Sequence, residues 1–152
     1  KLVGKKEIYI PYNNNKAAAA PVADLVTPNT LNPAQVRWEL HRVWEVEATL
    51  AAGKRHVVPK RKYYIDEDSW QIALFDGWDA KGDLWRTNYT LFLTAPDIPA
   101  VVGNMMWGGY DLQTGAYYLN MASNELKTQY KPVAPIPRSF FSPEELANEG
   151  AR

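Results

Sequence analysis

The sequence predicts a mainly β protein: a curved antiparallel meander sheet ending in a short C-terminal helix. Three observations carry that expectation. From Val36 to Leu50 large apolar residues alternate with polar ones, the period of two expected of a half-buried strand. Glycine-bearing turns at 51–53, 79–83 and 111–115 punctuate the strand-like stretches, so that hairpin follows hairpin. No βαβ spacing and no dinucleotide or phosphate loop occurs.

Residues 2–10, L-V-G-K-K-E-I-Y-I, read as a first strand with room for a bulge at Gly4 and a stop at Pro11. Y-N-N-N opens a connection in which Lys16–Ala20 is too short to hold as an isolated helix. Pro21, Pro28 and Pro33 keep the rest of it extended. In the long strand, Val36, Trp38, Leu40, Trp44, Val46, Ala48 and Leu50 form the apolar, core-facing parity, with Arg42 the one discord. Arg37, Glu39, His41, Glu45, Glu47 and Thr49 form the wet parity. Trp44 sits centrally in the stripe, so its truncation to Ala is expected to cost about 3–5 kcal/mol. A tight turn at Ala51–Gly53 sends the chain back with Glu45 opposite Lys60, Ala48 opposite Val57 and Leu40 opposite Ile65. The same register puts opposite charges together on the wet face and, on the other face, sets Arg42 against Tyr63 and Trp44 against Arg61, two arginines among aromatics.

Residues 66–69 (D-E-D-S) read as an acidic turn, and Trp70–Asp76 as a third strand. At 79–83 a type I turn followed by a left-handed glycine is expected to pair Asp76 with Arg86 and Ile72 with Thr90. Leu84–Thr94 returns, Val101–Tyr110 is punctuated by glycines, and Ala116–Met121 is a last short strand. The domain is expected to span 1–130. The tail, 131–152, carries Pro132, Pro135 and Pro137, then a short helix with Ser142 as cap, Pro143 at its first position and Glu145 completing a capping box.

The 152 residues suffice for one core, and 17 basic residues balance 17 acidic ones. A neutral chain has no general pull toward nucleic acid. There is no cysteine, hence no thiol chemistry, and no apolar run spans a bilayer. The chain starts at Lys1 already in strand-like sequence, which reads as a trimmed piece. Six Trp and nine Tyr supply the large amphipathic rings that line cavities and interfaces.

The run L-N-P-A-Q-V-R-W-E-L-H-R-V-W-E-V-E-A-T-L-A-A-G-K-R-H-V-V-P-K-R-K-Y-Y-I-D-E-D-S-W, from Leu31 to Trp70, continues into Q-I-A-L-F-D-G-W-D-A-K-G-D-L-W-R and is preceded by I-Y-I-P-Y-N. It closely resembles the DUF1329 family of Gram-negative envelope proteins, often labelled outer membrane lipoprotein-sorting proteins. The resemblance implies export through a signal peptide, a periplasmic location, and a half-barrel related to lipoprotein carriers, whose concave side holds acyl chains. It matches the C-terminal portion of longer family members. It brings no catalytic set with it.

Asp66, Glu67 and Asp68 lack both the alternating ligands of a calcium loop and the facing carboxylates of a glycosidase. His41 and His56 stand apart with no H-x-x-x-H, so no metal is expected. The serines lack a nucleophile-elbow pattern, so no catalytic residue and no cofactor are expected. The basic cluster 54–62 sits among acidic neighbours and reads as a paired sheet face. A lipid headgroup or phosphate suits it better than nucleic acid.

The expected site is a hydrophobic groove formed by Trp38, Leu40, Arg42, Trp44, Tyr63 and Trp70, with Arg42 stacked on Tyr63 or facing an anion. The preferred function is non-catalytic binding or carriage of a lipid or lipoprotein acyl chain, peripheral to the membrane at most. A structural or protein-binding envelope module is the alternative, and an enzyme of unrecognised chemistry a distant third. Two open sheet edges and one bare apolar face lead to an expected homodimer or association with an N-terminal portion of a longer product.

Overall fold

The structure is a computed structural model and describes residues 1–98, 100–102, 106–126 and 133–150. Its strands are β1 (Leu2–Pro11), β2 (Val26–Thr27), β3 (Thr30–Leu31), β4 (Trp38–Thr49), β5 (Lys60–Asp66), β6 (Ile72–Trp78), β7 (Leu84–Thr90), β8 (Leu93–Ala95), β9 (Ala100–Val102), β10 (Trp107–Asp111) and β11 (Tyr117–Asn120). Among the described residues there are also two short α-helices, α1 (Asn15–Ala19) and α2 (Pro143–Gly150), and two 3-10 turns, Val22–Asp24 and Arg138–Phe141. The main sheet is antiparallel throughout, in the order β1-β4-β5-β6-β7-β10-β11, and stays open, with β1 and β11 at its edges. Mainly β, built as a meander with a short C-terminal helix, is the architecture expected. Bulges fall between Leu2 and Gly4, Tyr64 and Ile65, and Gly77 and Trp78, and each adds local bend and twist.

The buried face is the reverse of the one expected. Val43 is fully buried and Glu45 nearly so, whereas Trp38 is 41% and Leu40 57% exposed. The covering layer comes from 12–36, which reads in the sequence as a mere connection. Three consecutive asparagines clasp it down. Asn14, fully buried, accepts from Arg37 N at 2.8 Å and donates to Arg37 O at 3.2 Å, while its own backbone N–H bonds to Phe92 O. Asn13 and Asn15 accept from the Thr94 hydroxyl and backbone N–H, and Asn15 donates to Thr94 O. α1 is too short to persist alone. It is held because Asn124 Nδ2 reaches Ala17 O and Ala20 O at 2.6 and 2.7 Å.

Ala17, Ala18, Leu25, Leu31 and Val36 thereby pack on Tyr89, Leu91, Met106 and Tyr110 in one core cluster. A second cluster joins Ile10, Tyr12, Val43, Ala73 and Phe92, and Leu74 packs against both. Leu91 and Phe92, adjacent and both fully buried, serve different clusters because the chain leaves the sheet there to form the β8–β9 hairpin.

Two expected registers are corrected. β4 and β5 pair Trp44 with Ile65, Val46 with Tyr63, Ala48 with Arg61 and Thr49 with Lys60, four residues from the expected alignment. Parity survives that slide, so Glu45 and Glu47 still meet lysines, Lys62 at 2.7 Å and Lys60 at 3.2 Å. The turn forms, with Lys54 N bonding Ala51 O. The ladder resumes only beyond Pro59, which has no N–H to give and accepts from Leu50 N instead. In the second hairpin Gly82 takes the expected left-handed φ of 90°. The bulge at Gly77/Trp78 absorbs one residue, so Arg86 pairs with Gly77 and Asp76 with Thr87. That single step moves Arg86 to the opposite face from Asp76.

The third strand also starts later than expected, at Ile72. Trp70 instead closes the preceding turn with φ 58°. In the tail Ser142 caps α2 as expected, its hydroxyl accepting from Glu145 N at 3.2 Å. No described residue of 133–150 is buried. The expected domain boundary at 130/131 lies outside the described residues, as do Gly103–Met105 of the glycine-punctuated stretch.

Candidate functional site

The face left open by the covering layer carries three cross-strand rows. The first holds Trp44, Ile65 and Ile72, with Trp107 further along. The second runs Val46, Tyr63, Phe75, Asn88, Gly109, Tyr118. The third runs Ala48, Arg61, Gly77, Arg86, Asp111. Polarity therefore rises along the strands, from an apolar row to one that bears two arginines.

Two adjoining hollows follow that gradient. One of about 360 Å³ is walled by Tyr63, Ile72, Phe75 and Trp107 and is almost wholly apolar. The other, about 500 Å³, is walled by Arg61, Arg86, His56 and Tyr118 and is far more polar. Phe75 and Asn88 border both, so the two hollows adjoin across these side chains and are together termed the groove. These sizes are those of small-ligand sites. The rings of Tyr63 and Phe75 lie 5.3 Å apart, those of Trp107 and Tyr118 5.9 Å at right angles. Gly77 is needed where it stands: a Cβ there would lie 2.8 Å from Val58 Cγ1 and 3.0 Å from the Phe75 ring. Val58 thus folds the 50–59 loop onto this face and forms one wall.

The six residues expected to make the groove share this face but divide into two places. Tyr63 lines the groove. Trp38, Leu40, Arg42 and Trp44 form a patch toward the β1 edge, where Tyr9 pairs with Leu40 and is also exposed. Trp70, 70% exposed, stacks on Trp44 at 6.2 Å, and Lys5 lies over Trp44 at 4.2 Å. Arg42 meets neither Tyr63 nor an open site. It forms a two-pronged pair with Glu67 at 2.9 and 3.0 Å, and Lys5 joins that carboxylate at 2.9 Å. Hydrogen bonds from Lys5 and then Arg42 hold Glu67 below its ordinary pKa. Arg61, Phe75, Arg86, Asn88, Trp107 and Tyr118 escaped sequence reasoning. For Arg86 and Asn88 the signal was the face parity of β7, which the bulge at Gly77/Trp78 inverted.

The acidic turn is more than an exposed acidic loop. Asp66 is fully buried and accepts from Ser69 N and Oγ at 2.9 and 2.6 Å, while His41 Nδ1 lies 3.0 Å from its other oxygen. His41 also packs on Tyr12 at 4.1 Å. Asp68 comes within 3.8 Å of the same ring nitrogen, so His41, Asp66 and Asp68 could each offer a metal one atom. Asp66 already uses both oxygens to tie the turn to the covered face, and that structural role accounts for its burial.

An open antiparallel sheet with one face covered and an amphipathic groove on the other defines the class of this molecule: a mainly β protein with a non-polar-to-cationic surface groove. The chain belongs to the family of proteins of unknown function DUF1329, whose model matches residues 1–147. It is similar to the uncharacterized protein PA3922 of Pseudomonas aeruginosa, 40% identical over 156 residues. That alignment takes in 100% of this chain but 34% of the relative, so the chain spans about a third of the length of the curated protein it matches. Among solved structures, a domain provisionally titled an outer membrane lipoprotein-sorting protein, from Vibrio parahaemolyticus, shows a loose likeness. It has 12% identity and a TM-score of 0.40, over 69% of this chain and 52% of that one.

Proposed function

We propose that this region binds or carries an amphiphile, a lipid or lipoprotein acyl chain, in the groove of its open face, without catalysis. One observation carries the reading: an apolar hollow of about 360 Å³ adjoins a polar one of about 500 Å³ across Phe75 and Asn88. Burying an acyl chain there removes apolar area from water at about 25 cal/mol per Å². The chain would cover Tyr63, Ile72, Phe75 and Trp107, rings and branches the sheet leaves unpacked on this side.

The reading puts the protein in the periplasm, peripheral to the membrane at most. Among the described residues no helix is long and apolar enough to cross a membrane. The family resemblance supports an envelope location. The test is detergent-free purification followed by lipid mass spectrometry. Co-purifying lipid at near-stoichiometric amounts, lost in Phe75→Asp, is the expected result. Lipid-free protein that also fails to take up added fatty acid overturns the reading.

A second reading, a partner-binding envelope module, draws on a different observation. Tyr9, Trp38, Leu40 and Trp70 form an exposed apolar patch beside the free edge of β1, a surface proteins normally cover. A second copy of the chain, or the remainder of a longer product, would cover it. Substitution of Leu40 by Asp separates the two readings, because it alters association and leaves the groove intact.

A further inference from the structure

Resting on the groove reading above, we infer that the polar half of the groove is an anion subsite, and that the amphiphile it takes carries a phosphate or carboxylate head. Arg61 and Arg86 stand in one cross-strand row on either side of Gly77. Neighbouring strands lie about 4.8 Å apart, so the two backbones are about 10 Å apart. Only a glycine separates them, and both side chains line the same cavity.

The cavity wall offers donors. Arg61 Nε bonds Val58 O at 3.2 Å, and among the described residues no carboxylate lies within ion-pair distance of its guanidinium. Arg86 has one acidic neighbour, Asp111, at 4.0 Å, and rests its guanidinium over the Trp85 ring. Asp111 keeps its negative charge, since hydrogen bonds led by that from Thr114 N hold its pKa below the ordinary value, so it offsets one of the two guanidiniums. Its oxygens accept from Trp85 Nε1 at 2.8 Å, Thr114 N at 2.9 Å and Gln113 N at 3.1 Å. His56 Nδ1 accepts from Val58 N at 2.9 Å, so the ring proton resides on Nε2, a donor. Tyr118 Oη accepts from Asn88 Nδ2, which leaves its own proton to give.

Two guanidiniums, an imidazole N–H and a phenol thus line one hollow against one carboxylate, Asp111, which leaves the lining net positive. Arginine forks match the oxygens of phosphate and carboxylate. Lys60 and Lys62 of the same basic stretch do not contribute, because they point to the other face and pair with Glu47 and Glu45. The strand period has sorted the cluster into paired lysines on one side and free donors on the other.

The experiment is calorimetric titration of the 152-residue chain with dodecyl phosphate, with dodecylglycerol (the same chain on a neutral head) and with inorganic phosphate. The amphiphiles are kept below micelle formation. Dodecyl phosphate is expected to bind about tenfold or more tightly than dodecylglycerol, the difference made by charge-assisted hydrogen bonds. Arg61→Gln with Arg86→Gln erases that preference and keeps dodecylglycerol binding, which also shows that the variant is folded. Ile72→Asp weakens both amphiphiles alike.

Equal affinity for the two amphiphiles in the unaltered chain, or a preference that survives the double substitution, overturns the anion subsite and leaves the groove reading standing. Inorganic phosphate binding as tightly as dodecyl phosphate, and lost in the double variant, supports an anion site but overturns the amphiphile. Binding of none of the three overturns both.

Discussion

Asn13, Asn14 and Asn15 show how much one short polar run can decide. Their side chains close the covering segment onto Arg37, just before β4, and onto Thr94, while the backbone N–H of Asn14 ties it to Phe92 O. Asn14→Ala would leave the Arg37 N–H without its acceptor and the Arg37 carbonyl with Tyr12 N alone, and is expected to cost about 1–3 kcal/mol in urea melts. Tyr64 and Tyr110 are the titrating counterparts. Burial, and then the Asp76 carboxylate for Tyr64 and Tyr117 for Tyr110, push both hydroxyls up to about 12 from an ordinary 10.0. A raised phenol pKa contributes stability that is whole below the unfolded value and is lost as pH climbs toward the folded one. Stability should therefore fall between pH 10 and about 12, in step with late tyrosinate absorbance. Titration of these two at their ordinary value would contradict the packing around them. Glu45 gives the acid arm: its hydrogen bond from Lys62 holds it below 4.5, so its contribution is present above that pH and lost as pH falls further.

At the scale of elements, β4 is the informative strand. Its apolar parity faces the open side and its charged parity faces the covering layer, so truncations should rank in an order the alternation would not suggest. Phe92→Ala, beneath the covering layer, is expected to cost about 3–5 kcal/mol. Trp38→Ala, on the open face, should stay within about 0.5 kcal/mol. Trp44→Ala should fall between them, since Trp44 loses its stacking on Trp70 and its cover from Lys5 but no fully buried neighbour. A Trp38 variant as damaged as the Phe92 variant would mean that the open face is covered in solution. The hairpins teach a related lesson. Gly82 and the 79–83 turn form as their residues require, yet a bulge one position away decides which face Arg86 joins.

For the whole molecule, two free edges and a half-bare face make self-association the default expectation. Sedimentation over a tenfold concentration range should show a reversible increase in mass, reduced by Leu40→Asp. A stable monomer at all concentrations would mean that the exposed β1 patch is tolerated, helped by Lys5 and Lys6 on that edge. The described residues of the tail, 133–150, add nothing to that balance. They bury nothing against the sheet, and Phe140 and Phe141 contact each other. Deletion of 133–152 should leave the unfolding midpoint unchanged.

Much of this architecture is legible in the residues themselves. The period of two over β4, the proline stops, the glycine turns and the Ser142–Pro143 helix start depend on local backbone chemistry, which travels with the sequence. What only the tertiary structure decided is which side of the sheet is inside. Alternation says that the two faces of β4 differ, and carries no information on where residues 12–36 will lie. That depends on three asparagines meeting Arg37, Phe92 and Thr94, contacts up to 81 positions apart in the chain. The groove is hidden for the same kind of reason. Arg61, Gly77 and Arg86 become one row only when a single-residue bulge resets the register, and a shift of one residue exchanges every side chain between faces.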